Sequence, residues 1–217
     1  MKIIEKKLTL KEVLFRGHFL YFLYYKIYSI IMDCKIAGRS LDGLICNEGE
    51  QIFPVQSASY RILKKLLNEI YIYENDVFVD VGSGWGRLIG YLRCKGIKGK
   101  FTYGVEINNT VAKLSEKIFE EEKDIKIICT DATKTEIKNA TVYFLYNPFG
   151  SEILRDFLDN IERIATKKIR LYYLHAVYEN QFKTRCDRWK LIKRVEIKPK
   201  HHISVVLCEY EFEKSED

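Results

Sequence analysis

Short apolar runs and amphipathic stretches alternate between residues 76 and 175 of this chain. A short apolar run rich in β-branched residues, such as 77–81, is typical of a strand that is buried on both faces. Stretches such as 110–122, whose apolar residues recur at helical spacing, are typical of helices that cover such a sheet. The pattern predicts strands at 77–81, 101–106, 125–129, 141–146 and 169–175, with helices at 86–95, 110–122 and 152–165. This alternation is typical of a parallel sheet with helices on both faces.

The C-terminal part of the chain departs from this alternation. A short predicted helix over 177–184 precedes two apolar runs, 189–197 and 203–212, which a polar stretch over 198–202 connects. Two strands with a short connection are expected to pair antiparallel. The sequence therefore predicts an α/β fold with a seven-stranded, mostly parallel sheet, helices on both faces and a C-terminal antiparallel hairpin.

The N-terminal part has a pattern of its own. Residues 1–35 are predicted to be helical, with an aromatic-rich block at 19–25, and residues 36–58 show no sustained period and are predicted to be irregular. A helix that begins after a serine N-cap is predicted over 60–70. We therefore expect an N-terminal helical and loop extension over residues 1–55, acting as a cap or lid, and one domain over residues 56–217.

Two roles stay open for residues 1–35. The segment could cap the domain or a second subunit, or it could be a basic amphipathic segment that lies on a membrane surface. Its longest apolar stretch, 19–32, is interrupted by Lys26 and Ser29 and is too short to span a bilayer. The pattern does not decide between the two roles, and it leaves the oligomeric state open as well.

Composition narrows the class of protein only modestly. Of the 217 residues, 47% are hydrophobic, which is enough for a sizeable core, and the formal charge of +6 permits an anionic partner without requiring one. The six cysteines are scattered without C-x-x-C spacing, so we expect no metal site and predict reduced thiols in the cytoplasm. We also expect no signal peptide, because the N-terminus lacks the required order of basic, apolar and small residues.

The run D-V-F-V-D-V-G-S-G-W-G-R over residues 76–87 joins a predicted strand to a predicted helix through a glycine-rich turn. Such a turn brings backbone N–H groups close to a ligand at the N-terminus of the helix. The spacing Asp80-x-Gly82-x-Gly84-x-Gly86 differs from the G-x-G-x-x-G of dinucleotide-binding proteins, which disfavours an NAD-dependent oxidoreductase. A tight turn without a ligand would also recruit glycine, so the turn alone leaves the ligand open.

All five predicted strands end in polar or glycine-rich residues. In a parallel sheet the carboxyl ends of the strands lie at one edge, where ligands bind. In chain order, the residues at this edge are Asp80, Gly82, Ser83, Gly84, Glu106, Ile107, Asp131, Ala132, Asn147, Pro148, Phe149 and His175. Glu106 follows the turn by about twenty residues, where a carboxylate can bind a ribose diol, although a favourable charge at a helix N-terminus is an alternative role. The sequence predicts one convergent site.

The glycine turn, the later strand ends and the terminal hairpin together resemble those of class I S-adenosylmethionine (SAM)-dependent methyltransferases. The resemblance implies that SAM is the cofactor, that Asp80 and the turn hold its methionine part, and that Asp131 with Ala132 binds its adenine. The expected cofactor-binding residues are Asp80, Gly82, Ser83, Gly84, Gly86, Glu106, Ile107, Asp131, Ala132, Asn147 and Tyr60. The candidates for a lid are Gln56, Ser59 and Tyr60. Asp131 as an ordinary turn residue and Tyr60 as an ordinary helix start are the alternatives.

The strand end Asn147-Pro148-Phe149-Gly150 resembles the Asn-Pro-Pro-aromatic motif of methyltransferases that act on amino nitrogens. In that motif the asparagine and a backbone carbonyl accept hydrogen bonds from the target amino group, and the aromatic ring packs on the substrate. Here Phe149 replaces the second proline, a departure that argues against adenine-type acceptors. The run Phe144–Phe149 resembles the Phe-Leu-Tyr-Asn-Pro-Phe strand end of bacterial methyltransferases of this class and, more distantly, the strand end of non-SET lysine methyltransferases.

We predict a methyltransferase whose catalytic residues are Asn147, Pro148, Phe149 and His175. His175 is the candidate base, and a structural role for this histidine is equally open. The expected acceptor is a nitrogen or oxygen of a small-molecule or glycan-like substrate. The alternatives are a protein lysine or RNA as acceptor, or a non-catalytic protein that binds SAM or a nucleotide.

Overall fold

The computed structural model describes residues 19–42, 44–45, 55–199 and 204–213. Within these residues the helices are α1 (Phe19–Ala37), α2 (Tyr60–Leu66), α3 (Arg87–Cys94), α4 (Asn109–Ile118), α5 (Ser151–Ile164) and α6 (Asn180–Lys183). The strands are β1 (Leu44–Ile45), β2 (Val55–Gln56), β3 (Val77–Val81), β4 (Phe101–Glu106), β5 (Ile125–Cys129), β6 (Val142–Tyr146), β7 (Ile169–Leu174), β8 (Trp189–Ile197) and β9 (Val205–Phe212). A short 3₁₀ helix, Ala132–Lys134, follows β5.

Seven of these strands form one sheet, in the order β5-β4-β3-β6-β7-β9-β8. Neighbours from β5 to β7 pair parallel, whereas β9 pairs antiparallel with both β7 and β8. The chain order reverses beside β3, because β4 lies on one side of it and β6 on the other. In doubly wound sheets this is the position where ligands bind. The predicted α/β fold with a C-terminal antiparallel hairpin is confirmed.

The two faces of the sheet carry separate apolar clusters. All five residues of β3 are buried, as expected for a strand with helices on both of its faces. On one face Val79 and Leu145 share a cluster with Phe157 of α5. On the other face Phe78 and Phe144 share a cluster with α2, α3 and α1. Helices cover the two faces of the sheet, so a ligand can reach it only at the edge where the strands end.

Several predicted element boundaries differ from the structure. β7 ends at Leu174 rather than His175, because His175 has a φ of 56°, which is outside the extended region. α2 ends at Leu66 rather than at residue 70, because the N–H of Asn68 bonds to the carbonyl of Lys65 in a tighter turn. The helix predicted over 177–184 is reduced to the single turn of α6. Of the predicted hairpin connection over 198–202, residues 200–202 lie outside the described residues, as does residue 203, the predicted start of the last strand.

The N-terminal helix α1 packs on the rest of the chain. Met32 belongs to the same apolar cluster as α2 and α3, and a Cβ placed on Gly90 of α3 would lie 2.3 Å from Ile36. Residues 1–18 of the predicted helical segment lie outside the described residues, and the predicted irregular stretch contains the short antiparallel pair β1–β2. Of the described helices, none is both long and apolar enough to cross a membrane. The division of the chain near residue 55 stays a prediction.

Candidate active site

A cavity of about 710 Å³ opens at the carboxyl ends of β3, β4, β5 and β6, where the chain order of the sheet reverses. It is lined by all twelve residues that the sequence places at this edge: Asp80, Gly82, Ser83, Gly84, Glu106, Ile107, Asp131, Ala132, Asn147, Pro148, Phe149 and His175. Gln56 and Ser59 from the segment before β3 also line it. The size is within the range of small-molecule and cofactor sites.

The glycine turn after β3 has a left-handed backbone at each of its three glycines. The φ angles are 72° at Gly82, 54° at Gly84 and 77° at Gly86, which other residues adopt only with strain. A Cβ on Gly82 would lie 2.7 Å from the Cβ of Pro148, so the turn and the strand end of β6 are in direct contact. The glycine turn and the Asn147 strand end therefore form two adjoining walls of the cavity.

Asp80 is a buried carboxyl group that lines the cavity just before the glycine turn. Burial, and secondly the charge of Glu106, raise the pKa of Asp80 to about 8. Ser83 and Trp85 also line the cavity, and the buried hydroxyl of Ser83 and indole N–H of Trp85 have no hydrogen-bond partner within the described structure. Unpartnered buried donors and acceptors are costly, so this wall fits a ligand with a polar or charged end.

Glu106 links the end of β4 to the glycine turn. One of its carboxylate oxygens accepts from the backbone N–H of Gly84 and the other from that of Asn108, both at 2.9 Å. Burial raises the pKa of Glu106, and the backbone hydrogen bonds act against that rise. Each oxygen keeps a second lone pair that can accept from a hydroxyl. The arrangement fits a diol held beside the turn.

Asp131 begins the 3₁₀ turn after β5, and its side chain is used locally. One carboxylate oxygen accepts from the backbone N–H of Thr133 at 2.9 Å and from its hydroxyl at 2.8 Å. The other oxygen lies 3.6 Å from the Nζ of Lys134. Asp131 is therefore a turn residue in this structure, and it lines the cavity together with Ala132.

Asn147 and His175 are the only non-glycine residues with positive φ among those described, at 42° and 56°. They follow the adjacent parallel strands β6 and β7, and both line the cavity. The phenol of Tyr173 donates to the amide oxygen of Asn147 at 2.7 Å, and the backbone N–H of His175 donates to the carbonyl of Val206 at 2.7 Å. Such backbone strain clusters at functional sites.

Phe149 lines the cavity, but most of its ring is buried in the core. Its ring centroid lies 5.8 Å from that of Phe157 on α5. The sequence led us to expect this ring to pack on a substrate; in the structure it also anchors the strand end of β6 to α5.

Two of the predicted cofactor-binding residues do not line the cavity. Tyr60 is buried, and its hydroxyl donates to Asp33 of α1 at 2.6 Å. Burial and this hydrogen bond raise the pKa of the Tyr60 phenol. Gly86 faces α4 instead, because a Cβ at this position would lie 2.5 Å from the ring of Phe119. Both residues shape the surroundings of the turn from behind the cavity wall.

Arg87 is a cavity-lining residue whose role the sequence did not reveal. Its guanidinium is 4% exposed and pairs with Asp33 and Asp42, each at 2.7 Å. It also donates to the carbonyl of Ala58 at 3.2 Å and lies over the ring of Tyr60 at 4.9 Å. This network ties α1 and residue 42 to the first residue of α3. The sequence contains one signal of this network, because Asp33 is the single carboxylate of α1 and would need a partner once that helix packs on the domain.

The ionisable groups that line the cavity are mainly acidic. Four carboxyl groups line it, from Asp80, Glu106, Asp131 and Asp156; Asp80 holds a proton near neutral pH, and Asp131 and Asp156 lie beside Lys134 and Arg155. The one guanidinium that lines the cavity is neutralised by its two aspartate partners. The described residues contain no cluster of histidine, cysteine, aspartate and glutamate that could hold a metal ion. The cavity is therefore more favourable for cationic and neutral ligands than for phosphate groups.

Comparisons with known proteins find methyltransferases. Residues 57–157 match the family model of the histone methylation protein DOT1. A probable ribosomal RNA small subunit methyltransferase A of Methanococcus vannielii is 32% identical over 102 residues, a match that covers 45% of this chain and 37% of that protein. The match thus spans little more than a third of that curated relative.

Solved structures share the fold at low sequence identity. A SAM-dependent methyltransferase from Aquifex aeolicus matches with a TM-score of 0.56 and 16% identity, over 69% of this chain and 89% of that one. TrmK of M. capricolum, in complex with S-adenosylhomocysteine, matches with a TM-score of 0.55 and 18% identity, over 74% and 71%.

The chain has the fold of class I SAM-dependent methyltransferases, as the sequence predicted. Methyltransferases recur in all three comparisons, and one of the matched structures holds S-adenosylhomocysteine. The residues present fit SAM, because the glycine turn forms a wall of the cavity and each carboxylate oxygen of Glu106 keeps a lone pair that can accept from a ribose hydroxyl.

Proposed function

We propose that this chain is a SAM-dependent N-methyltransferase whose acceptor is the amino group of a small molecule, such as an amino sugar or another amine-bearing metabolite. The observation that carries this proposal is the position of Asn147, which lines a cavity with carboxyl groups in its wall and is held by a hydrogen bond from Tyr173. Carboxyl oxygens and a fixed amide oxygen can accept hydrogen bonds from an amine.

The cofactor would lie along the first three strand ends. In this proposal Asp80 and the glycine turn hold the methionine end, Glu106 and Ile107 hold the ribose, and Asp131 with Ala132 lies beside the adenine. When bound, SAM supplies an electrophilic methyl group on its sulfonium. The remaining work of the protein is to align the acceptor with that methyl group and to exclude water, which accounts for much of the rate of such displacements.

Asn147 would orient the acceptor by accepting a hydrogen bond from its amino group. An ammonium ion has no lone pair, so it must lose one proton before the nitrogen can attack the methyl carbon. The imidazole of His175, which lines the same cavity, is the group that we propose to receive this proton. A hydroxyl acceptor would need a base in the transition state, so methyl transfer to a hydroxyl would depend more strongly on the imidazole of His175 than transfer to an amine.

A protein lysine is the second candidate acceptor. It is favoured by the match of residues 57–157 to the DOT1 family model, and the acidic cavity would suit a lysine side chain as well as a small amine. RNA is the third candidate, from the likeness to the ribosomal RNA methyltransferase of Methanococcus vannielii. The acidic lining speaks against phosphate groups inside the cavity, and RNA is therefore ranked below the amines.

Calorimetric titration of the full chain with S-adenosylhomocysteine and with NAD tests the cofactor. We expect binding of the former alone, and binding of NAD alone would refute the proposal. Transfer of labelled methyl groups from SAM is then measured on three sets of acceptors: amino sugars and small amines, lysine-rich peptides, and RNA. Transfer to the small amines alone is the expected result. Transfer confined to peptides or to RNA would replace the proposed acceptor with the corresponding alternative.

Asn147→Ala separates acceptor alignment from cofactor binding. We expect the turnover number to fall about 100-fold, the cost of a misaligned acceptor, while the affinity for S-adenosylhomocysteine is kept. Asn139→Ala, at an exposed asparagine outside the cavity, is the matched control and should behave like the wild type. Full activity of the Asn147→Ala protein on its preferred acceptor would show that this side chain does not align the acceptor.

A further inference from the structure

The side of α1 that points away from the domain is apolar and exposed. Six residues form this outer face: Leu20, Leu23, Tyr24, Ile27, Ile30 and Ile31. Their spacing is that of one stripe along a helix, and their exposed fractions range from 41% to 77%. The outer face contains nearly half of the large exposed hydrophobic side chains found in the described part of the chain. An apolar surface of this kind marks an interaction site.

The opposite side of α1 is fixed to the domain. Asp33 is buried and forms a 2.7 Å ion pair with Arg87, which is also buried. The ring of Tyr28 lies 5.8 Å from that of Tyr60, and Ile36 packs closely on Gly90. The helix already has a core-facing side with these contacts. The outer face is therefore not a core surface exposed by loose packing.

The charges on and beside α1 are basic. Lys26 and Lys35 are exposed, whereas Asp33, the one acidic residue of the helix, is buried in its ion pair. In the sequence, the preceding residues 1–18 contain five lysines and arginines against two glutamates. Within α1, an apolar stripe with flanking basic residues and no exposed carboxylate is complementary to an anionic lipid surface.

A second copy of the chain is a less favourable partner for this face. Lys26 lies close to the middle of α1, so antiparallel pairing of two outer faces around a twofold axis would bring the two Lys26 ammonium groups near each other. At a membrane surface, by contrast, a lysine can bury its stem and keep its ammonium among the lipid headgroups. Since α1 does not meet the requirements for a membrane span, it would lie parallel to the surface.

We infer that the outer face of α1 docks the protein on an anionic membrane surface. The inference does not depend on the methyl acceptor, because it rests on the exposed residues of α1 and the charges of the N-terminal segment, and on nothing in the cavity. It favours the membrane role of the N-terminal segment over the role of a cap between subunits.

Flotation of the full chain with lipid vesicles tests this inference. We expect the protein to float with vesicles of phosphatidylcholine and phosphatidylserine, and much less with vesicles of phosphatidylcholine alone. The double variant Ile27→Glu/Ile30→Glu should reduce the floating fraction at least about fivefold. Leu191→Glu/Ile192→Glu is the matched control, because it places the same charges at two equally exposed apolar residues on β8, and it should float like the wild type.

A second variant keeps the apolar face intact and removes only charge. Lys26→Gln/Lys35→Gln should lower flotation with the phosphatidylserine vesicles and leave the weak flotation with phosphatidylcholine unchanged. Circular dichroism melting curves would show whether each variant is folded, and light scattering would give its mass in solution. The inference would be overturned if the wild type floated equally with both kinds of vesicle. It would also be overturned if Leu191→Glu/Ile192→Glu reduced the floating fraction as much as Ile27→Glu/Ile30→Glu. A wild-type dimer that Ile27→Glu/Ile30→Glu dissociates would overturn it as well, since the face would then bind a second copy.

Discussion

The phenol of Tyr173 on β7 donates a 2.7 Å hydrogen bond to the amide oxygen of Asn147 at the end of β6. Tyr173 is 1% exposed, and burial raises the pKa of its phenol, so the hydroxyl stays protonated near neutral pH and remains a donor. Asn147 itself has a strained backbone with a φ of 42°. The orientation of a cavity-lining amide is thus set by a core residue outside the cavity, and this can be tested without touching the cavity wall.

Tyr173→Phe removes only this hydroxyl. We expect the turnover number to fall about threefold to tenfold, because the Asn147 amide loses the partner that orients it, while the affinity for S-adenosylhomocysteine is kept. The free energy of unfolding should fall by about 1 kcal/mol, the usual value of one hydrogen bond. Steady-state kinetics, calorimetric titration and urea denaturation give the three quantities.

Tyr143→Phe is the matched control for this change. Tyr143 is an equally buried tyrosine on β6 that does not line the cavity, so removing its hydroxyl should leave the turnover number unchanged. In an Asn147→Ala background, Tyr173→Phe should have no further effect on turnover, because the two residues act through one contact. If Tyr173→Phe lowered the turnover number as much in the Asn147→Ala background as in the wild type, Tyr173 would not act through Asn147.

The buried carboxyl of Asp80 should make the stability of the ligand-free chain depend on pH. Its pKa is raised to about 8 by burial and by Glu106, whereas an unfolded chain releases this proton at its ordinary, lower pKa. Between these two pH values the folded chain holds a proton that the unfolded chain has lost. The free energy of unfolding therefore falls as the pH rises toward 8.

Asp80→Asn removes this titration and keeps the shape of the side chain. Its stability relative to the wild type should increase by more than about 1 kcal/mol as the pH is raised from acidic to alkaline values. Urea denaturation at both ends of the range measures the difference. Asp187→Asn, at an exposed aspartate, should show no such trend. A constant difference between wild type and Asp80→Asn across the range would contradict the raised pKa.

The sequence was sufficient for the sheet and for most of the residues that gather at its carboxyl edge. Strands such as β3 are buried on both faces, so their apolar runs are short, continuous and easy to delimit. Polar and glycine residues follow them where the chain leaves the sheet. For that reason Glu106 and Asn147 could be placed at one edge before any distance was available. Their roles toward cofactor and acceptor stay predictions.

The contacts behind the cavity wall could not be predicted in the same way. The partners of Arg87 lie far away in sequence, since Asp33 precedes it by 54 residues. Neither helical spacing nor a strand end connects these residues, and residues 36–58 between them have no sustained period. The exposed stripe on α1 was equally hidden, because a helix that is apolar on both sides gives no periodic signal that separates its inner from its outer face.

The two carboxylates that pair with Arg87 should differ in their effect on stability. Asp33→Ala should lower the free energy of unfolding by about 3 to 5 kcal/mol, because it leaves a buried guanidinium with one partner fewer and deprives the Tyr60 hydroxyl of its acceptor. Asp42→Ala should cost less than about 1 kcal/mol, because the Asp42 side chain is 56% exposed. Urea denaturation of both variants measures the two changes in the free energy of unfolding. Equal decreases would show that the buried ion pair contributes no more to stability than the exposed one.

Gly82→Ala tests whether the glycine turn and the Asn147 strand end act as one unit. The new Cβ would lie 2.7 Å from the Cβ of Pro148, so the turn or the strand end must shift. Gly96→Ala is the matched control, because Gly96 has nearly the same φ, 71° against 72°, and no atom within 4 Å of an added Cβ. The control should lose only about 1 kcal/mol of stability through backbone strain. Gly82→Ala should lose more stability and, in addition, its affinity for S-adenosylhomocysteine and its methyl transfer. If calorimetry and transfer assays gave the same result for both variants, backbone strain alone would account for the effect, and the contact with Pro148 would have no separate role.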